Sequence, residues 1–314
     1  MDAERLEAVI QAVVREFQAA APAPRAVPVP APPRAAPVPP APAPRPAALP
    51  GEGELHIDQP DPTLPEARHR PGIDQPVDPD GLGALMECTS SRLGVGHSGP
   101  RVRTRALQLF LADLAITKDA LARDVDPRLL EKLGLFSVRT RIEGGREQYL
   151  LRPDLGRSLD DASRKQISER CTKAPDVQIC VGDGLSAQAV EVNLGKILPV
   201  LQAGCATAGL SLGTPFFIQH CRVGVMNDIG ELLQPKVLIL LIGERPGLGR
   251  ADSMSAYMAY RPQPGHTDAE RDVVCNIFDG GGANPLEAGA YTLRLAEKMI
   301  RLQAGGVKLK LLEA

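Results

Sequence analysis

The sequence of 314 residues contains no tryptophan, and its aromatic side chains make up only 3% of the total. This shortage argues against a nucleic-acid-binding platform, because such platforms stack bases on aromatic rings. The formal net charge is only -2, so we expect no general attraction to nucleic acid or to an anionic membrane. No apolar run approaches the ~20 residues of a membrane span, and we find no secretory signal. We therefore expect a cytoplasmic protein.

Patterns for reactive or metal-binding side chains are also missing. The six cysteines include no CxxC pair, which favours reduced, packed thiols over a disulfide framework. The five histidines form no HxH or HExxH pattern, so we predict no metal site. The GxSxG turn that marks many hydrolases is absent as well. The residues themselves therefore give no catalytic assignment.

Proline is unevenly distributed, and it divides the chain. Residues 1–20 predict an amphipathic helix, whereas residues 21–80 are rich in proline and alanine and predict a disordered linker. The apolar positions of the helix share one face: Leu6, Val9, Ile10, Val13 and Phe17. Two hypotheses for this helix remain open. It is either a frayed terminus that docks on its own chain or a targeting segment that docks on a partner.

The remainder of the chain predicts two structured regions. Residues 81–165 show helical periodicity and predict a smaller helical domain. In residues 166–314, apolar runs alternate with helical segments, which predicts an α/β domain with a mainly parallel, Rossmann-like sheet and flanking helices. The unbroken apolar run at 237–242 predicts a strand buried on both faces. Other strands are predicted at 176–181, 215–223 and 271–277, and a turn or helix at 253–260.

The strand at 237–242 ends in a turn rich in glycine and proline that carries Glu244 and Arg245. Ligands of open α/β sheets bind at the carboxyl ends of the strands. We therefore predict that this turn faces a ligand. The alternative is a local ion pair between the two side chains that only closes the turn.

The segment 182–187 has small residues at the spacing of a dinucleotide-binding loop, after a predicted strand and before a predicted helix. Its N–H groups would then hold a phosphate or an amide side chain of a cofactor. However, the second strand ends in His220-Cys221-Arg222-Val223, which lacks the acidic residue that binds a ribose. A nicotinamide-dependent oxidoreductase is therefore an alternative hypothesis, and a non-catalytic assembly subunit is another.

Long blocks of the sequence resemble the small (light) subunit of ethanolamine ammonia-lyase. They are SRLGVGHSGPRVRTRALQLFLADLAITKDAL at 91–121, YLLRPDLGRSL at 149–159, VQICVGDGLSAQAVEVN at 177–193, IGERPGLGRADSMSAYMAY at 242–260 and NIFDGGGANPLEAGAY at 276–291. The resemblance implies an adenosylcobalamin-dependent radical lyase that converts ethanolamine to acetaldehyde and ammonia. It also implies a hetero-oligomer, in which a large subunit carries the substrate site and the small subunit completes the cobalamin site.

The family's cobalamin contacts transfer to three positions of this sequence. Glu244 matches directly within IGERPGLG, and Val223 matches the family's valine at the end of the second strand. The family's cysteine in an R-x-C-x-x-N pattern falls on Val273, where we expect a contact through backbone or packing. We expect Cys275 on the opposite face of the sheet and do not assign it this role. The resemblance also associates residues 1–20 and the linker with packaging into a bacterial microcompartment.

Overall fold

The computed structural model describes residues 70–89 and 91–312 of the chain. The predicted N-terminal helix and most of the predicted linker lie outside the described residues. The described residues belong to one compact unit. None of the helices among them has the length and apolar content that a membrane-spanning segment requires.

The described residues form nine α-helices and eight β-strands. The helices are α1 (Pro79–Glu87), α2 (Thr104–Ala122), α3 (Pro127–Lys132), α4 (Gly145–Leu151), α5 (Asp161–Arg170), α6 (Ala187–Thr207), α7 (Val225–Leu233), α8 (Pro285–Leu302) and α9 (Gly306–Leu311). The strands are β1 (His97–Ser98), β2 (Arg101–Val102), β3 (Phe136–Arg139), β4 (Val177–Gly182), β5 (Phe216–Gln219), β6 (Val237–Gly243), β7 (Met254–Tyr260) and β8 (Arg271–Ile277).

Six of the strands form one mixed sheet in the order β3-β5-β4-β6-β7-β8, while β1 and β2 form a separate small hairpin. The pairs β3–β5, β5–β4 and β4–β6 are parallel, and the pairs β6–β7 and β7–β8 are antiparallel. The predicted α/β class is therefore confirmed, whereas a mainly parallel, Rossmann-like sheet is not, because the sheet changes from parallel to antiparallel after β6.

Two strands of the mixed sheet, β3 and β7, were missed by the sequence analysis. β7 is a strand where the sequence predicted a turn or helix, so that prediction is wrong. Its residues MSAYMAY include methionine and alanine, which favour helices, and its pairing with β6 and β8 overrides this preference. β3 comes from residues 81–165, for which only helices were predicted, and it pairs with β5 along its whole length.

Hydrophobic clusters lie on both faces of the sheet. α6 and α8 cover one face, and α8 also packs against β7 and β8 there. α5 and α7 cover the other face over the parallel strands. On that second face Tyr257 of β7 is only half-buried, and Val273 of β8 is 47% exposed. Ser255 and Ala259 on the same face of β7 are buried, so the surface that no described residue covers is the one around Tyr257 and Val273, and we call it the open face.

Candidate functional site

Three polar residues, of which Glu244 is a predicted site residue, directly follow strands that end at one edge of the sheet. β4, β5 and β6 are parallel, so Asp183, His220 and Glu244 directly follow strands that end at the same edge. Because β7 runs antiparallel to β6 and β8, β7 begins and β8 ends at this edge too. This is the edge at which open α/β sheets bind ligands.

The Glu244 carboxylate accepts three hydrogen bonds. Its Oε2 accepts from the Ser253 hydroxyl at 2.7 Å, and its Oε1 accepts from the Ser255 hydroxyl and from the Asn276 N–H, the latter at 2.9 Å. A carboxylate offers about four lone-pair sites, so one acceptor position on Oε2 remains. In the described part of the chain Glu244 makes no ion pair with Arg245, so the alternative of a turn-closing ion pair does not hold.

An irregularity in β8 directs one of these donors, the Asn276 N–H, towards Glu244. The register of β7 against β8 shifts by one residue between Met254 and Ala256, and Asn276 has a φ of 56°. Such a β-bulge changes the direction of the groups next to it. Sequence reasoning missed the two serines because it missed β7. Their spacing of two residues, which places both on one face of a strand, was the available signal.

The open face carries Val273 directly opposite Tyr257. Burial raises the pKa of the Tyr257 phenol, and the carboxylates of Asp268 and Glu244 raise it further. Cys275 is exposed and lies two residues after Val273 on β8. Side chains two residues apart on a strand point to the same face, so our expectation that Cys275 lies on the opposite face is wrong. The open face therefore presents Tyr257, Val273 and Cys275 beside Glu244.

Val223 lines a cleft of about 650 Å³ next to the open face. Tyr257 lines the same cleft, so it connects the cleft with the side chain of Val273 across β7 and β8. Val223 thus borders the cleft, Glu244 lies at the sheet edge, and Val273 lies on the open face. The cleft, the sheet edge and the open face together form the candidate site.

A buried ion pair fixes the chain that leads to Val223. Asp183, only 1% exposed, accepts hydrogen bonds from the N–H groups of His220 and Cys221 at 2.8 Å each and pairs with Arg146 at 3.0 Å. Burial raises the pKa of Asp183, while Arg146 and the two N–H donors lower it. Burial lowers the pKa of His220. Asp183 therefore ties the end of β4 to the residues that follow β5.

The same network contains the one group of side chains, among the described residues, with the proximity of metal ligands. Asp124, Asp183 and His220 each place one ligand atom within 4.8 Å of the others. The Arg146 guanidinium already pairs with both carboxylates, at 3.3 Å from Asp124 and 3.0 Å from Asp183. Because this fixed positive charge repels a cation, we interpret the group as an ion-pair network.

The segment 182–187 is packed against the protein and not open to a cofactor phosphate. The N–H of Leu185 donates to the Gly243 carbonyl at 3.0 Å, and that of Ser186 donates to the Asp183 carbonyl at 3.2 Å. A Cβ at Gly184 would lie 2.2 Å from the Gly243 oxygen, which shows how closely the loop approaches the end of β6. This geometry gives no support to a nicotinamide-dependent enzyme that uses this loop.

A protein-family model described as ethanolamine ammonia-lyase light chain (EutC) matches residues 79–310. The match begins at α1 and ends within α9, so it includes the whole mixed sheet. It also includes the cleft, the sheet edge and the open face.

Proposed function

The chain belongs to the ethanolamine ammonia-lyase light-chain family, and from this premise we propose that it completes the cobalamin site of an adenosylcobalamin-dependent ethanolamine ammonia-lyase. The enzyme converts ethanolamine to acetaldehyde and ammonia, and a large subunit supplies the substrate site. The observation that carries this proposal is the open face of β7 and β8 beside Glu244, within the region matched to the family.

The residues of the site fit the cofactor. Cobalamin has a broad ring with amide side chains, so it needs apolar surface together with a few well-placed polar groups. Tyr257 and Val273 provide apolar surface on the open face, and Val223 provides it at the cleft. Glu244 has one remaining acceptor position, which suits an amide N–H of the ring.

The role of this chain is to bind and to orient. The chemistry that the cofactor supplies when bound is an adenosyl radical, generated by homolysis of its cobalt–carbon bond. Glu244 is a binding residue in this proposal and not an acid or base, because three donors already hold its carboxylate. Val223 and Val273 exclude water from the side of the cofactor that faces this chain.

Reconstitution with a large subunit tests the proposal. We expect the full-length chain, mixed with a large subunit of this family, to bind cobalamin saturably and to release ammonia from ethanolamine. Either chain alone is expected to do neither. The measurements are equilibrium dialysis against cobalamin and an ammonia assay. A mixture that assembles without binding cobalamin would favour the assembly subunit, and nicotinamide-dependent hydride transfer would favour the oxidoreductase.

We also propose that residues 1–20 direct the enzyme from the cytoplasm into a bacterial microcompartment. The support is the predicted apolar stripe at the end of a long proline-rich linker. A fluorescent reporter fused to residues 1–20 should form foci in cells that build shells. The same fusion with Val9→Asp and Val13→Asp keeps the length but breaks the stripe, and it should stay diffuse. Diffuse fluorescence of the unchanged fusion would refute targeting.

A further inference from the structure

We propose that the cleft beside Val223 binds the phosphate of the cofactor's nucleotide arm, with Arg157 and Arg222 as the residues that receive it. This inference rests on the proposed function, because it names the part of cobalamin that the cleft takes. In cobalamin the side chains of the ring are amides, and the phosphodiester of the nucleotide arm is the anionic group outside the ring.

Two short segments cross at the cleft and bring these arginines together. The N–H of Arg222 donates to the Gly156 carbonyl at 2.9 Å. A Cβ at Gly156 would lie 2.7 Å from Cγ of Arg222, and a Cβ at Gly224 would lie 2.8 Å from Cγ of Arg157. Each arginine therefore lies across a glycine of the other segment. The two glycines allow both guanidinium groups to line one cleft.

Neither arginine has a carboxylate partner in the described part of the chain. Arg222 donates to the Tyr149 carbonyl at 3.0 Å, and its guanidinium stacks 4.1 Å from the centre of the Tyr149 ring. The Nε of Arg222 is buried and has no hydrogen-bond partner among the described residues. Arginines held without a counter-charge are matched by an anion that accepts from both, and the guanidinium geometry suits phosphate oxygens.

Arg271 is a separate observation that points to the same ligand. Its side chain is only 7% exposed, it lines the cleft, and its Nε is buried without a hydrogen-bond partner among the described residues. The acids of the lining are already committed, since Asp268 pairs with Arg271 and Asp228 pairs with Arg164. The charge that remains uncompensated in the cleft is therefore positive.

α7 adds to this positive potential. It is nine residues long and begins after Gly224, which provides no side-chain cap. Gly224 and Asn227 line the cleft, so the positive end of the helix dipole lies at the cleft. The N–H groups of Val225, Met226 and Asn227 already donate to the carbonyls of Arg222, Val223 and Gly224, so α7 contributes its dipole and not free donors. The arginines and α7 thus favour the same anion from different elements.

Cobinamide and cobinamide phosphate, which differ by one phosphate group, test the inference. We expect the assembled complex of full-length chain and large subunit to bind cobinamide phosphate about tenfold more tightly than cobinamide. Arg157→Gln should lower this preference several-fold, since Arg222 remains, and leave the affinity for cobinamide unchanged. The matched control is Arg152→Gln, because Arg152 is exposed and already pairs with Asp154. The control should keep the full preference.

The other outcomes separate this inference from the proposed function. Equal binding of the two forms by the unchanged complex would overturn the phosphate assignment and leave cobalamin binding intact. An equal loss of both affinities in Arg157→Gln would show that Arg157 supports the fold. Inorganic phosphate should compete with cobinamide phosphate and not with cobinamide. If it binds through Arg157 while cobinamide phosphate gains nothing, the cleft serves a free anion. If neither form binds, the phosphate assignment fails, and the proposed function fails with it only if cobalamin does not bind either.

Discussion

Replacement of Glu244 by glutamine is expected to lower the affinity of the assembled enzyme for cobalamin by about 10- to 100-fold. Glutamine keeps one oxygen, which can still accept from the Asn276 N–H and the Ser255 hydroxyl. Its NH2 group can donate to the Ser253 hydroxyl, since a hydroxyl also accepts. The remaining acceptor position on Oε2 is replaced by a donor, so an amide N–H of the cofactor loses its partner.

This substitution separates binding from folding. We expect Glu244→Gln to change the free energy of unfolding by less than about 1 kcal/mol, because the three internal hydrogen bonds can be remade. The control is Glu287→Gln, which removes the same charge from an exposed position near the start of α8. Dissociation constants for cobalamin would be measured in the reconstituted complex. If both variants bind cobalamin like the unchanged enzyme, Glu244 is not a cofactor contact.

Asp183→Asn is expected to lower the free energy of unfolding by about 3 to 5 kcal/mol. The asparagine side chain keeps one acceptor oxygen and turns the other into a donor. That donor faces an N–H of His220 or Cys221, both of which now donate to the carboxylate. The Arg146 side chain, only 12% exposed, also loses its buried counter-charge. One isosteric change therefore leaves a buried donor unsatisfied and weakens a buried ion pair.

Asp124→Asn is the matched control for this prediction. Asp124 pairs with the same Arg146, but its side chain is 57% exposed. An exposed ion pair contributes about 1 kcal/mol or less, so we expect a correspondingly small effect. Urea unfolding followed by circular dichroism would compare the two variants. Similar losses of stability would show that burial of Asp183 is not what makes its ion pair important.

The parts of the fold that follow from local pattern were predicted from the sequence. β6 was recognised because its apolar residues are uninterrupted, and the structure buries all seven positions. α6 was predicted as the helix that follows segment 182–187. β7 was not, because MSAYMAY becomes a strand only through pairing with β6 and β8. The change from parallel to antiparallel strands depends on that pairing, so it was missed too.

The candidate site was likewise predicted only in part from the sequence. The position of Glu244 was predicted, since a charged residue directly after a buried strand lies at the edge where ligands bind. Its partners Ser253 and Asn276 were not, because they reach Glu244 through non-local pairing and a bulge. The proximity of Arg157 and Arg222 could not be predicted from the local sequence either, because it arises where two distant segments cross.

Because of the open face, the stability of the sheet edge at β8 depends on what binds there. β8 is an edge strand, and α8 packs against only one of its faces, so no described helix or strand covers Val273 and Cys275. A ligand that binds only the folded form stabilises that form by mass action. In the proposed function, the cofactor and the partner chain cover this face of the sheet. Burial of the open face then contributes both to the affinity for the ligand and to the stability of β8.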